Sequence, residues 1–203
     1  MNAEQEFWDW FVGHEAELFD LDPRQGDQRE KVFDELAAQL SKVHRELSFE
    51  LGPNSARREF VISGSGIRDA FPSVTSLVAA APTLPRWQFT AFRPRRSPVN
   101  VVEYKGRRID PKDVQFTLLS NGKMPGVRLF ITGYTEGDAA MKVIGYLLLD
   151  EALGEYDVAA RLGMIAMHSP DSRTEGDRYT LAELPGRFDV LMQSLQERRA
   201  ALY

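Results

Sequence analysis

The stretch that most constrains this chain runs from Ala139 to His168, AAMKVIGYLLLDEALGEYDVAARLGMIAMH. Its centre, Ile144 to Leu149, is apolar apart from Gly145, and Asp150, Glu151, Glu155, Tyr156 and Asp157 follow it. An apolar run must be buried, and carboxylates at its exit are solvated, paired or functional. A run apolar on all sides has no readable period, so KVIGYLLLD suits either a helix or a buried strand. Asp138, placed to cap a helix through Met141, Ile144 and Leu148, favours the helix. Gly154 then supplies its C-terminal turn. Asp150 and Glu151 are expected to be solvated near the helix end, with Glu155 to Asp157 forming an acidic turn.

The rest of the chain reads as blocks of helix and strand. Glu4 to Phe19 predicts one helix, with Phe7, Phe11 and Leu18 on one face and Trp8, Val12 and Phe19 beside it. LDPRQG breaks it, and Asp27 with Glu30 reads as the capping box of a second helix carrying Phe33, Leu36, Ala37, Leu40 and Val43. The short connection predicts an antiparallel helical hairpin. Period-two alternation follows at Leu47, Phe49 and Leu51, returning at Glu59 to Ser63. Pro72 opens a helix with Val74, Leu77, Val78 and Ala81 inward. Trp87 to Phe92 and Val99 to Tyr104 read as strands around RPRRSP. Asn121-Gly122 signals a hairpin between Val114 to Leu119 and Val127 to Thr132. Gly163 to His168 is a short strand, SPDSRTEGD a polar loop, and Thr180 with Glu183 a capping box before a closing helix of Phe188, Leu191, Met192 and Leu195. The pattern predicts an α+β fold, with helices packed on a twisted, mostly antiparallel sheet. With no internal repeat and no Gly/Ser/Pro-rich joint, a single domain over residues 1–203 is expected. Trp8, Phe11, Phe33, Leu36, Leu77 and Phe188 should lie in its core.

Composition removes several classes of function. Without cysteine there is no disulfide, thiolate chemistry or Cys-ligated zinc, which fits a reducing cytoplasmic location. No segment approaches the roughly 18 consecutive apolar residues of a membrane span, and MNAEQEFWDWF lacks the basic start and apolar stretch of a signal peptide. A net charge of −5 disfavours bulk attraction to nucleic acid or anionic membrane.

Each motif with a chemical reading departs from its pattern. GSGIRD, Gly64 to Asp69, lies between a strand and a helix, but Asp69 replaces the third glycine of a dinucleotide fingerprint and would face a pyrophosphate. Gly13-His14-Glu15 begins like a zinc-protease helix, yet Leu18 stands where the second histidine belongs, and His14, His44 and His168 have no ligand spacing. Ile62 occupies the first glycine position of a nucleophile elbow around Ser63 to Gly66. Arg93, Arg95 and Arg96 near Trp87, Phe89 and Phe92, with Lys105, Arg107 and Arg108 after Tyr104, interleave bases with aromatics as single-strand binders do. The two groups sit at opposite ends of one predicted strand and need not form one groove. Asp150, Glu151, Glu155 and Asp157 offer oxygen ligands without EF-hand spacing.

FWDWF (Phe7 to Phe11), LSFELG (Leu47 to Gly52), EFVISGSGI (Glu59 to Ile67), FPSVTSLVAAAP (Phe71 to Pro82), WQFTAFRPR (Trp87 to Arg95) and LLLDEALGEYDV (Leu147 to Val158) occur in that order. In order and spacing they resemble a family of bacterial cytosolic proteins that forms a domain of unknown function. The resemblance covers roughly the first four fifths of the chain and implies a bacterial source and a single domain, without catalytic residues to carry over. The expected function is a non-catalytic module that binds a protein or small-molecule partner, with no cofactor and no metal. Its candidate binding residues are Trp87, Arg93, Arg95, Glu155, Tyr156 and Asp157. The alternative is a hydrolase or metal-dependent enzyme working through Glu155 and Asp157. A bidentate pair between Arg93 and Glu155 is a further expectation, because either charge buried alone is costly.

Overall fold

Phe7, Trp8 and Phe11 recur at helical spacing, and the helix they make, α1 (Ala3–Gly13), is capped by Asn2, whose side chain accepts from the Gln5 amide at 2.9 Å. The computed structural model describes residues 2–21 and 26–201. The expected break over Asp22 to Gln25 and the Asp27 side chain of the expected cap lie outside the described residues. The chain groups into two compact units, Met1–Arg93 and Pro94–Tyr203, each with its own hydrophobic cluster.

In the first unit the expected helix over Glu4 to Phe19 is two. His14, at φ −112° and ψ 10°, ends α1, and α2 (Glu15–Asp20) starts anew. The His14 ring stacks on Trp10 at 4.6 Å, and its Nδ1 lies 2.8 Å from the Trp10 carbonyl oxygen. Leu18 and Phe19 remain buried, whereas Val12 is exposed. In α3 (Gly26–Val43) the inward stripe is Val32, Leu36 and Leu40. Phe33 is therefore only half-buried, a correction to the expected core; its ring packs edge-on against Phe49 at 5.1 Å, and the Arg29 guanidinium lies 4.9 Å from the Phe33 ring centroid.

Strands β1 (Ser48–Leu51) and β2 (Arg58–Ser63) pair antiparallel, and after α4 (Phe71–Ala79) the chain returns as β3 (Trp87–Ala91), parallel to β2. Aromatic rings fill the space between α1 and this sheet. Phe11 lies 5.3 Å from Phe60, 5.0 Å from Trp87 and 5.5 Å from Phe89. The Trp8 indole N–H donates to the Leu77 carbonyl at 2.8 Å, tying α1 to α4.

Arg58, 2% exposed, closes the end of α2. Its Nη1 donates to the carbonyls of Leu18 (2.9 Å), Phe19 (2.6 Å) and Leu21 (3.2 Å), and its Nε donates to Gly52 at 2.9 Å. Helix ends leave carbonyls without intrahelical partners, and a cation at the C-terminus also suits the helix dipole. Burial lowers the Arg58 pKa, with nearby Asp20 acting the other way.

The second unit opens with the antiparallel pair β4 (Val102–Tyr104) and β5 (Arg107–Ile109). The hairpin β6 (Val114–Ser120) and β7 (Pro125–Ile131) follows, turned at Asn121-Gly122, where Asn121 Oδ1 accepts from the Lys123 and Met124 amides. The long apolar run is helical, as α5 (Ala139–Leu153), with Asp138 Oδ1 accepting from the Ala140 and Met141 amides at its start. After α6 (Glu155–Arg161), β8 (Met164–His168) joins parallel to β7. The short β9 (Tyr179–Thr180) pairs with β6, and the Thr180–Glu183 capping box is present ahead of α7 (Leu184–Ala200).

The four-stranded order is β8-β7-β6-β9. Val127, Leu129 and Ile131 present one face to Ile144, Leu148 and Phe188. The polar loop SPDSRTEGD crosses strands with its own backbone: Thr117 Oγ1 donates to the Asp177 carbonyl at 3.1 Å, and Arg178 caps Phe130 at 3.7 Å while donating to the Pro170 carbonyl. The class is α+β, and four of the six strand pairings are antiparallel. In place of one sheet there are three among the described residues. Both units contain an antiparallel pair followed by a helical crossover to a parallel strand. Among the described residues no helix is long and apolar enough to cross a membrane.

Candidate functional site

Arg95 is the centre of a polar clasp within the second unit. Its Nε donates to the Leu153 carbonyl at the end of α5 at 2.8 Å. Its Nη2 donates to Asp157 of α6 at 2.7 Å and to Asp189 of α7 at 3.0 Å, while Nη1 reaches the other Asp189 oxygen at 2.9 Å. A planar guanidinium can serve these acceptors together, which an ammonium cannot. The Arg95 pKa is raised, chiefly by its hydrogen bond to Asp189 and also by Asp157, against the opposing effect of burial. Arg161, one turn along α6, adds a second cation to Asp157 at 3.1 Å.

The expected acidic turn is instead helical. Gly154, at φ 83° and ψ 142°, ends α5, and Glu155 is already the first residue of α6. Glu155 is fully buried and Tyr156 is 47% exposed. Asp150, expected in solvent, is buried as well. Glu151 accepts from the Asn100 amide at 3.2 Å and from its side-chain nitrogen at 2.8 Å. Asp157 thus accepts a hydrogen bond from Arg95 on one oxygen and forms an ion pair with Arg161 on the other.

Trp87 and Arg93 belong to the first unit. Trp87 is 1% exposed, and its indole N–H donates to Glu15 at 2.7 Å. It is a core residue whose ring a ligand cannot reach in this fold. Arg93 Nε donates to Glu50 at 2.6 Å, and Nη2 approaches Ser48 Oγ at 3.4 Å. Of the sequence-predicted residues, then, Arg95 and Asp157 meet directly. The expected Arg93–Glu155 pair joins residues of different units, and the partners described for Arg93 lie in its own.

The Gly-rich stretch is a packed turn. Ser63 Oγ accepts from the Ser65 amide at 2.9 Å, and Ser65 takes a positive φ of 54°. A Cβ on Gly64 would stand 3.2 Å from the Phe71 ring. A 3-10 turn, Arg68–Ala70, intervenes before α4, so the helix N-terminus does not follow the glycines as a phosphate site requires. Among the basic residues after Tyr104, Arg107 bonds Asp138, and Arg108 stands 3.9 Å from Glu103. Among the described residues, no three His, Asp or Glu side chains cluster as metal ligands.

A further surface lies outside the residues that the sequence points to. Strand β8 ends its sheet and pairs on one side with β7. Every residue of β7 except Arg128 is buried, whereas none of β8 is. Beside this edge runs a groove of about 500 Å3, lined by Ile165, Ala166 and Met167 of β8 and by Tyr134, Lys142 and Tyr146. Asp138, Lys142 and Tyr146 share one α5 stripe by helical spacing. The Asp138 carboxylate is spoken for by Arg107 and by two amides, which hold its pKa low, the Arg107 hydrogen bond first. Lys142 has no carboxylate partner among the described residues. Gly145 lets the strand approach the helix, since a Cβ there would meet Met167 Sδ and Cε at 2.4 Å. A sequence signal existed in MIAMH, a strand without charge or proline.

No protein-family model, no curated protein and no solved structure matches this chain.

Proposed function

We propose that the chain is a non-catalytic partner-binding module, and that a partner docks in the groove between α5 and β8. The observation that carries this reading is the groove itself, where an edge strand lies beside two tyrosines and a lysine that has no carboxylate partner among the described residues. Tyrosine is enriched at protein interfaces because it offers a large apolar face with a polar tip. Tyr146 is 38% and Met164 42% exposed. The alternative, an enzyme using Glu155 and Asp157, is weakened by the two cations on Asp157. A bacterial, cytoplasmic setting belongs to the same proposal and suits a chain without cysteine.

The test is a photo-activated crosslinking side chain placed at Tyr146 in cells, with Gln193 on α7 as the control position. A discrete adduct from position 146, absent at 193 and lost on Lys142→Glu, supports the reading. Equal labelling at both positions, or none at 146, refutes it.

A further inference from the structure

We infer that the partner supplies an extended segment that joins the sheet as a new strand outside β8, with an acidic side chain over Lys142. The inference rests on the partner-binding reading above and adds the binding mode and the chemistry of the ligand.

An edge strand turns every second residue's N–H and C=O outward, where they can pair with another extended chain. Proteins protect such edges with charges, proline or a bulge. Strand β8, Met164-Ile165-Ala166-Met167-His168, carries no proline and no Asp, Glu, Lys or Arg. The rungs from Gly126↔Met164 to Phe130↔His168 run without a gap, so no bulge turns the edge away. An added strand would send alternate side chains toward α5, into the groove lined by Lys142 and Tyr146. Backbone pairing gives affinity of any sequence; the groove would select among sequences.

Charge decides which segment fits. The groove's one carboxylate, Asp138, is neutralised by Arg107, which leaves the Lys142 ammonium as the uncompensated charge. A carboxylate on the incoming strand complements it, and a lysine there would be repelled. The sequence of β8 could also pair antiparallel with itself, Met164 opposite His168 about Ala166. A second copy, however, brings another β8 without a carboxylate for Lys142. An acidic strand of another protein therefore fits better.

The experiment uses the full chain and three fluorescein-labelled peptides, Thr-Val-Thr-Xaa-Thr-Val-Thr, with Asp, Ser or Lys at Xaa. Both valines and Xaa then share one face. Fluorescence polarisation should rank Asp above Ser above Lys, each step about three- to fivefold, as suits an exposed ion pair. Lys142→Glu should reverse the order without loss of the urea midpoint. Amide hydrogen exchange should slow at alternate β8 residues when the Asp peptide is bound. Binding without charge preference, binding without β8 protection, or no binding of any peptide overturns the inference. A dimer in sedimentation with β8 protected before peptide is added also overturns it, by giving the edge to a second copy. A Tyr146 crosslink together with any of these failures leaves the groove as a docking site but removes strand addition; no crosslink removes both.

Discussion

Replacing Arg58 by methionine tests the packing of the first unit most directly. Methionine retains an apolar stem of similar length, so the change removes the guanidinium and little of the packing. Four backbone carbonyls lose their donor: Gly52, Leu18, Phe19 and Leu21. A hydrogen bond to a charged group contributes about 1.5–3 kcal/mol, and a buried acceptor left without a partner costs about 1–3 kcal/mol. Three of the acceptors share Nη1, and the helix end can recover some water, so the losses do not add. The expected cost is about 3–5 kcal/mol, the range for breaking a buried charged contact. All three tryptophans, Trp8, Trp10 and Trp87, fall in the first unit, so their fluorescence follows its unfolding selectively. With a urea slope of about 2 kcal/mol/M the midpoint should fall by about 2 M. Arg58→Lys should lose roughly half as much, because one ammonium keeps the charge but cannot reach Gly52 and the helix end together. A midpoint shift below about 0.5 M for Arg58→Met would refute the assignment of Arg58 as the stabilising cap of α2.

Arg95→Ala should cost about 1 kcal/mol at low salt and less at high salt, since the clasp is partly exposed; the check is faster amide exchange in α7, and a salt-independent loss would contradict an electrostatic clasp. Gly154→Ala should destabilise the second unit by about 1–3 kcal/mol, because its φ of 83° with ψ 142° is a conformation open almost only to glycine; a neutral result in denaturant titration would sink that account. Asp138 and Glu183 both have lowered pKa values, through hydrogen bonds first to Arg107 and first to Arg187 respectively. Their contribution is complete above the ordinary carboxyl range of about pH 4 and is lost as the pH falls through the lower folded values. Asp138→Asn with Glu183→Gln should therefore lower stability at neutral pH and flatten the acid limb of the stability curve, and an unchanged acid limb would show that these pairs do not govern it.

Much of the local structure was legible because its signals are local. Asp138 and Gly154 mark the two ends of α5, Thr180 with Glu183 forms the capping box ahead of α7, and Asn121-Gly122 turns the β6–β7 hairpin. What escaped depends on neighbours that the one-dimensional pattern does not name. The sequence marks β3 and β8 as strands, but nothing in it says that each lies parallel to its partner. The break at His14 has no proline to announce it, and α6 is too short for periodicity to separate it from a turn. The boundary after Arg93 falls inside RPRRSP, without the flexible composition of a linker. Arg95 and Asp157 are both candidates by sequence, yet their third partner, Asp189, sits on a closing helix whose sequence signal is its apolar face. Trp87 near a cluster of arginines suggested a surface ring, whereas Glu15 satisfies its indole in the core. The β8 groove needed tertiary structure, since Lys142 and Ala166 are brought together only by the crossover.

That crossover also sets a folding order. The β6–β7 hairpin closes through a few residues, whereas Met164 cannot find Gly126 until the whole of α5 and α6 has been placed between them. Closing the longer loop costs more chain entropy, and non-local pairing of this kind is slow. Strand β8 is thus expected to be the last of its sheet to form and, with one neighbour, the first to exchange its amides in native conditions. Newly made chains would pass through a stage in which β7 is itself an uncovered edge, which is the stage most open to aggregation.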